Sequence, residues 1–200
     1  MNLREDEVAA NPLEQFARWY DEAIAAGVEL PEAMMLATAA PDGAPSARMV
    51  LLKGVEERGF VFYTNYESRK GRELAANPRA ALVFHWPQTP RRQVSVGGSV
   101  ERLSAQDSDE YFRTRPFGSR IGAWASRQSE VIAGREGLER SFAELEAEHA
   151  EGEVPRPPWW GGYVLRPDIV EFWQNRPNRL HDRLRYRRSG GEWVLERLSP

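Results

Sequence analysis

The window Glu171-Phe172-Trp173-Gln174, followed by Arg179-Leu180-His181-Asp182-Arg183, gathers an indole, two guanidiniums and an imidazole in a short stretch. A packed core does not need that polarity, so the window points to a bound ligand. Two more cationic groupings lie upstream, in Arg48-Met49-Val50-Leu51-Leu52-Lys53 and in Ser68-Arg69-Lys70. If 48–53 is one strand, Arg48 and Lys53 stand an odd number of positions apart. They then point to opposite faces unless a bulge intervenes, and serve two different anions. Arg48 groups with Ser68-Arg69-Lys70 at the start of a predicted helix, whose free N–H groups and positive dipole end favour a phosphate. A solvated helix start with ordinary surface cations reads the same way, and the motif alone leaves the two readings level. Lys53 groups with Tyr111, Arg115 and Ser119, of which Tyr111 and Arg115 share a helical face at their four-residue spacing. Plain surface packing also gives that spacing.

These residues need elements to hold them. Residues 1–10 read as a flexible polar tail. Asn11 then caps a helix with Pro12 at its first position and Glu14 reaching back, while Phe16, Trp19, Tyr20 and Ile24 share a face and Gly27 ends it. From Met34 the texture changes to a meander of strands: Met34 to Ala39, Arg48 to Lys53 and Phe60 to Thr64, separated by turn residues. A helix follows Ser68 and stops at Asn77-Pro78, and strands resume at Ala80 to Trp86 and Gln93 to Arg102. Ser104 with Asp107 starts a helix running to Tyr111 and Arg115, and Glu136 to His149 is a second, with Leu138, Phe142 and Leu145 on one side. Four strands close the chain, at Tyr163 to Leu165, Ile169 to Trp173, Leu184 to Arg188 and Trp193 to Leu198. Many short antiparallel strands with a few helices predict a closed or nearly closed barrel, which leaves few edges exposed. The Trp159-Trp160 pair reads as exposed and suited to an apolar interface.

Composition narrows the function. The chain has 200 residues, no cysteine and three histidines, so thiol chemistry is excluded and a protein-built metal site is not expected. A net charge of −3 gives no general attraction to nucleic acid. The charged N-terminus and the lack of a long apolar run indicate a protein of the cytoplasm, not of a membrane.

Arg48 to Lys53, Phe62-Tyr63-Thr64-Asn65, Ser68-Arg69-Lys70, Pro116-Phe117-Gly118-Ser119-Arg120-Ile121-Gly122-Ala123-Trp124 and Arg179 to Arg183 together resemble the pyridoxamine 5′-phosphate oxidase family. The likeness runs from Asn11 to Pro200. It implies an α+β, mainly β fold, a split β-barrel with flanking helices, as one FMN-binding domain over residues 11–200. It implies that Arg48, Met49, Val50, Leu51, Leu52, Lys53, Tyr63, Thr64, Arg69, Lys70, Gln128 and Ser129 hold FMN. Gln93 would bond the flavin's pyrimidine edge, Trp173 wall the ring, and Arg183 stabilise the reduced, anionic flavin. Lys53, Tyr111, Arg115 and Ser119 would grip the substrate phosphate. Arg179 and His181, with Leu180 between them, would cover the pyridoxyl ring and carry the catalytic role. The implied reaction oxidises pyridoxamine or pyridoxine 5′-phosphate to pyridoxal 5′-phosphate by hydride transfer to FMN, which O2 reoxidises with release of H2O2. The family builds each FMN site from both subunits, so a homodimer is expected.

Three other readings stay open. A flavin oxidase of the phenazine-biosynthesis kind shares the Arg-Leu-His core but is expected to lack the Lys53, Arg115 and Ser119 grip. A non-catalytic flavin- or haem-binding split barrel would keep the fold without a second phosphate pocket. A basic nucleic-acid module is the third.

Overall fold

The computed structural model describes residues 3–88, 90–149 and 153–200. Within these, one sheet of nine antiparallel strands organises the chain. Its strands are β1 (Ala33–Ala39), β2 (Pro45–Leu51), β3 (Gly54–Glu56), β4 (Gly59–Asn65), β5 (Arg79–Trp86), β6 (Arg92–Arg102), β7 (Trp160–Gln174), β8 (Asp182–Ser189) and β9 (Glu192–Arg197). The main path runs β2-β1-β5-β6-β7-β4-β3, and β8 and β9 branch off β7. The two ends of that path, β2 and β3, are consecutive in the chain with only Leu52 and Lys53 between them. A flat sheet cannot bring its opposite edges that close, so the sheet must curl into a barrel. Backbone bonds hold the seam on both sides, from Leu52 N–H to the Glu32 carbonyl at 2.9 Å and from Lys53 N–H to the Val61 carbonyl at 2.8 Å.

Helix α1 (Pro12–Ala25) packs into the barrel through Phe16, Trp19 and Ala23. Phe16 meets Phe60 edge-on at 4.9 Å, and Trp19 meets Phe172 edge-on at 5.1 Å. Ile24, expected on this face, is exposed instead, and Ala23 takes the buried position. The helix is capped as expected by Asn11, whose side chain accepts from Leu13 N–H at 2.9 Å. The reach back comes from Gln15, which accepts from Ala9 N–H at 3.0 Å, while Glu14 faces solvent.

The tail is not loose over its described part, since Leu3 is 5% exposed within the main core. Arg197 bonds the Leu3 carbonyl and Glu5, and the Tyr186 hydroxyl bonds the Ala9 carbonyl at 2.6 Å. Buried apolar area and these bonds outweigh the entropy of a free terminus. Residues 1 and 2 lie outside the described residues.

Two strand expectations also change. Arg48 to Lys53 is not one strand, because β2 ends at Leu51 and β3 begins at Gly54. The two strands expected around Pro167 are one strand of 15 residues. Proline has no N–H to give a ladder, and it is tolerated here at a bulge: Gly98 pairs with Pro167 and Gly97 with Ile169, which leaves Asp168 as the extra residue. Among the described residues no helix is long and apolar enough to cross a membrane.

Candidate active site

Helix α2 (Arg69–Ala76) starts against the barrel. Ser68 caps it, fully buried, accepting from Gly71 N–H at 3.3 Å and donating to the Asn65 carbonyl at 2.7 Å. Glycine is required at 71, because a Cβ there would overlap the Tyr66 carbonyl. That close approach carries Lys70 inward until it is 8% exposed. Its ammonium donates to Thr64 Oγ1 at 3.2 Å, Ser68 Oγ at 3.3 Å and Gln128 Oε1 at 2.9 Å, all neutral partners. Burial, then repulsion from Arg48, pulls its pKa down to about 8 against a partial offset from Glu73. A buried cation that bonds only neutral partners, beside a second cation and at a helix N-terminus, suits an anion. Arg48, on β2, donates to the Leu36 carbonyl at 3.1 Å, Thr38 Oγ1 at 2.6 Å, Ser46 Oγ and Glu73 Oε2 at 3.3 Å. Arg69 gives its Nε–H to Glu73 Oε1 at 2.9 Å.

Beside this cradle opens a cavity of about 610 Å³. Helices α3 (Ala105–Thr114) and α4 (Phe117–Ala125), steadied by α5 (Arg135–Glu148), wall it on one side, and β4 with the start of β7 on the other. Leu51, Lys53, Tyr63, Thr64 and Gln128 line it together with Tyr111, Arg115 and Ser119. Arg115 is not in the helix: it is the C-cap of α3, with φ −70° and ψ 146°, so it does not share a helical face with Tyr111. Both reach the cavity all the same. Tyr63 stacks on Tyr111 at 3.9 Å and lies nearly parallel to Trp160 at 5.4 Å, while the Arg115 guanidinium sits 4.6 Å above the Trp160 ring. Trp160 is therefore a buried wall of the cavity and not exposed as expected. Among the described residues, buried Arg115 Nη1 has no hydrogen-bond partner, a cost that an anion in the cavity would remove.

The remaining candidates cluster at the far end of β7. Gln93, Trp173 and Arg183 are direct neighbours across β6, β7 and β8 and share a face. Arg183 is held by Glu171 through two bonds of 2.8 and 3.1 Å, so its charge is partly compensated. The His181 ring lies 4.6 Å from that of Trp173, and its Nδ1 accepts from Arg176 N–H at 3.1 Å. Arg179 closes a short 3-10 turn, Pro177–Arg179, in which Asn178 and Arg179 have φ of 57° and 62°. The segment is not extended, so the two-residue spacing of Arg179 and His181 does not by itself put them on one side.

A sequence model described as pyridoxamine 5′-phosphate oxidase matches residues 20–149, and one described as the pyridoxine 5′-phosphate oxidase C-terminal dimerisation region matches residues 160–200. The chain belongs to the pyridoxamine 5′-phosphate oxidase family. Curated relatives named pyridoxine/pyridoxamine 5′-phosphate oxidase include one from Cyanothece sp., 59% identical over 100% of this chain and 93% of its own length. Another, from Salinibacter ruber, is 60% identical over 99% of this chain and 93% of its own. Among solved structures, PhzG from Burkholderia lata in complex with tetrahydrophenazine-1-carboxylic acid is 35% identical with a TM-score of 0.93, covering 99% of this chain and 98% of that one. A pyridoxamine 5′-phosphate oxidase-related, FMN-binding protein from Nostoc punctiforme shares the fold at 20% identity and a TM-score of 0.74, over 96% of this chain and all of that one. The expected split-barrel fold is thus the family's.

Of the family-type residues, one chain brings together the cradle (Arg48, Arg69, Lys70, Thr64, Gln128) and the cavity (Lys53, Tyr63, Tyr111, Arg115, Ser119). Gln93, Trp173, Arg179, Leu180, His181 and Arg183 are not among the residues that line the cavity or bond Lys70, and Trp173 lies thirteen residues along β7 from the cavity wall Trp160. In the stretch after Arg48, Met49 is 62% exposed and Leu51 lines the cavity, whereas Leu52 is buried and Val50 packs partly against the core. Val50 and Leu52 can offer an outside ligand little beyond their main chain. Ser129 neighbours the cradle residue Gln128 and has φ 76°. Sequence reasoning missed Glu73, Thr38 and Ser46 around Arg48. The four-residue spacing of Arg69 and Glu73 was a usable signal for the first, but the other two depend on strand register.

Proposed function

We propose that the chain is an FMN-dependent oxidase that converts pyridoxamine or pyridoxine 5′-phosphate to pyridoxal 5′-phosphate, working as a homodimer with each site shared between subunits. The observation that carries this reading is the presence of two cationic groups at one cavity, Lys70 behind its partners Thr64 and Gln128, and Lys53 with Arg115. Two phosphorylated ligands need two such groups. The cradle fits the FMN phosphate because Lys70 is buried among neutral partners, and Arg69 and Ser68 stand at the same helix start. Bound there, FMN supplies a hydride acceptor at N5 that O2 regenerates with release of H2O2.

The chain's own residues orient and neutralise. Lys53 and Arg115 balance a phosphate dianion, and Tyr111 and Ser119 add hydroxyl donors. His181, with Nδ1 already accepting a bond, carries its proton on Nε2 when neutral and offers it to the substrate. Arg179 adds a permanent cation, and Trp173 an apolar wall. The separation of this group from the cavity along β7 supports a site completed by a second subunit, in keeping with the dimerisation-region match.

The likeness to PhzG favours a second reading, in which a tricyclic acid is the substrate. The gathering of Lys53, Arg115 and Ser119 in one cavity weighs toward the phosphorylated vitamer. The test is to record the visible spectrum of the purified protein and follow oxygen uptake on adding pyridoxamine 5′-phosphate. Yellow protein, oxygen uptake and H2O2 are expected. Colourless protein that ignores added FMN, or bound flavin that pyridoxine 5′-phosphate does not bleach anaerobically, would overturn the proposal.

A further inference from the structure

We infer that Glu73 is a positioning residue for the flavin phosphate, pinning Arg48 and Arg69 so that the anion meets ordered guanidiniums. The inference rests on the proposed function and extends it to a residue outside the ligand-contacting set. Glu73 is 6% exposed, and its two oxygens divide their work. Oε2 accepts from Thr38 on β1 and from Ser46 and Arg48 on β2, with the Ser46 bond at 2.6 Å and the Arg48 bond at 3.3 Å. Oε1 accepts from Arg69 Nε, one helical turn away, at 2.9 Å. One carboxylate thus ties the start of α2 to two strands and fixes two cations that come from different elements.

The manner of pinning matters. Arg69 is held through Nε alone, and among the described residues nothing else engages its two terminal nitrogens. Those two nitrogens form the end-on fork that binds a phosphate with two parallel bonds. A guanidinium already held in place loses less freedom when the ligand arrives. The negative charge of Glu73 opposes a phosphate, but four donors cover its oxygens and blunt that repulsion. Burial alone would raise its pKa, yet the bonds from Ser46, Thr38 and Arg69 and the charge of Arg48 hold it down at about 2, so it stays ionised over the working range.

The test separates the phosphate's share of binding from the rest. Flavin-free wild type, Glu73→Gln and Glu73→Ala are titrated with FMN and with riboflavin, following flavin fluorescence, and melting temperatures are recorded alongside. For Glu73→Ala the preference for FMN over riboflavin should fall by about tenfold, while riboflavin affinity changes by less than about twofold. Glu73→Gln keeps one acceptor and should fall between; it carries the test if the alanine variant does not fold. An unchanged preference with a lowered melting temperature would make Glu73 a structural clip only. A raised preference would make it a competitor of the phosphate for Arg48 and Arg69. Either result overturns the inference, whereas a wild type with no preference for FMN overturns the proposed function beneath it.

Discussion

Arg179 and Ser129 have backbone angles that residues with a side chain rarely adopt, and both belong to the residues expected to touch a ligand. Such conformations cost on the order of 1–3 kcal/mol each and persist where something fixes them. Replacing Arg179 by Ala should leave the protein yellow but slow anaerobic flavin reduction by about a hundredfold, because it removes an orienting cation and no flavin contact. Stopped-flow absorbance checks this; reduction at the wild-type rate would take Arg179 out of the site. Lys70 gives a pH prediction. Below its pKa of about 8 the ammonium is already charged when a phosphate dianion arrives, and above it binding must bring the proton in. FMN affinity should therefore fall as pH rises from 7 to 9.5 while riboflavin affinity stays level, and Lys70→Met should flatten the FMN curve. Titrations at several pH values check both.

At the scale of elements, α2 depends on a close approach that only glycine permits. Gly71→Ala forces the helix start away from Tyr66 and should lose flavin retention together with stability, read as a colourless eluate with a lowered melting temperature. Helix starts were the most legible features of the sequence, because Asn11, Ser68 and Ser104 each cap the helix they were expected to cap, through a local side-chain bond. Strand breaks were less legible. Nothing local in Leu51-Leu52-Lys53 signals that the chain leaves one edge of the sheet for the other, and the alternation read for Arg48 and Lys53 spans that crossing. The two cations do part, but for a different reason: Lys53, in the seam, lines the cavity, while Arg48 is bound into the Thr38, Ser46 and Glu73 network. The departure of Arg115 from its helix was readable, since a residue before proline is driven out of the helical region. Register-dependent partners such as Thr38 and Ser46 were not, because they meet only once β1 and β2 pair.

At the scale of the molecule, β7 carries the cavity wall Trp160 at one end and the Trp173 cluster at the other. A site made from the cavity of one subunit and the cluster of its partner allows two damaged proteins to repair each other. Arg115→Ala and Arg179→Ala are each expected to be nearly inactive. Co-expressed, they assort at random, half the dimers are mixed, and each mixed dimer has one site with both residues intact, giving roughly a quarter of wild-type activity. Activity no higher than the parents' would mean that one chain builds the whole site.

The bulge at Asp168 adds a final consequence. Before it, Tyr163 and Leu165 point into the main core; after it, Val170 and Phe172 do, so the inward positions change from odd to even numbers. Asp168 is thus a one-residue phase corrector that keeps both halves of a long ribbon in step. Deleting it would invert everything downstream, turning Trp173 inward and Phe172 out to solvent, and would erase the proposed ligand surface without touching a single residue assigned to it.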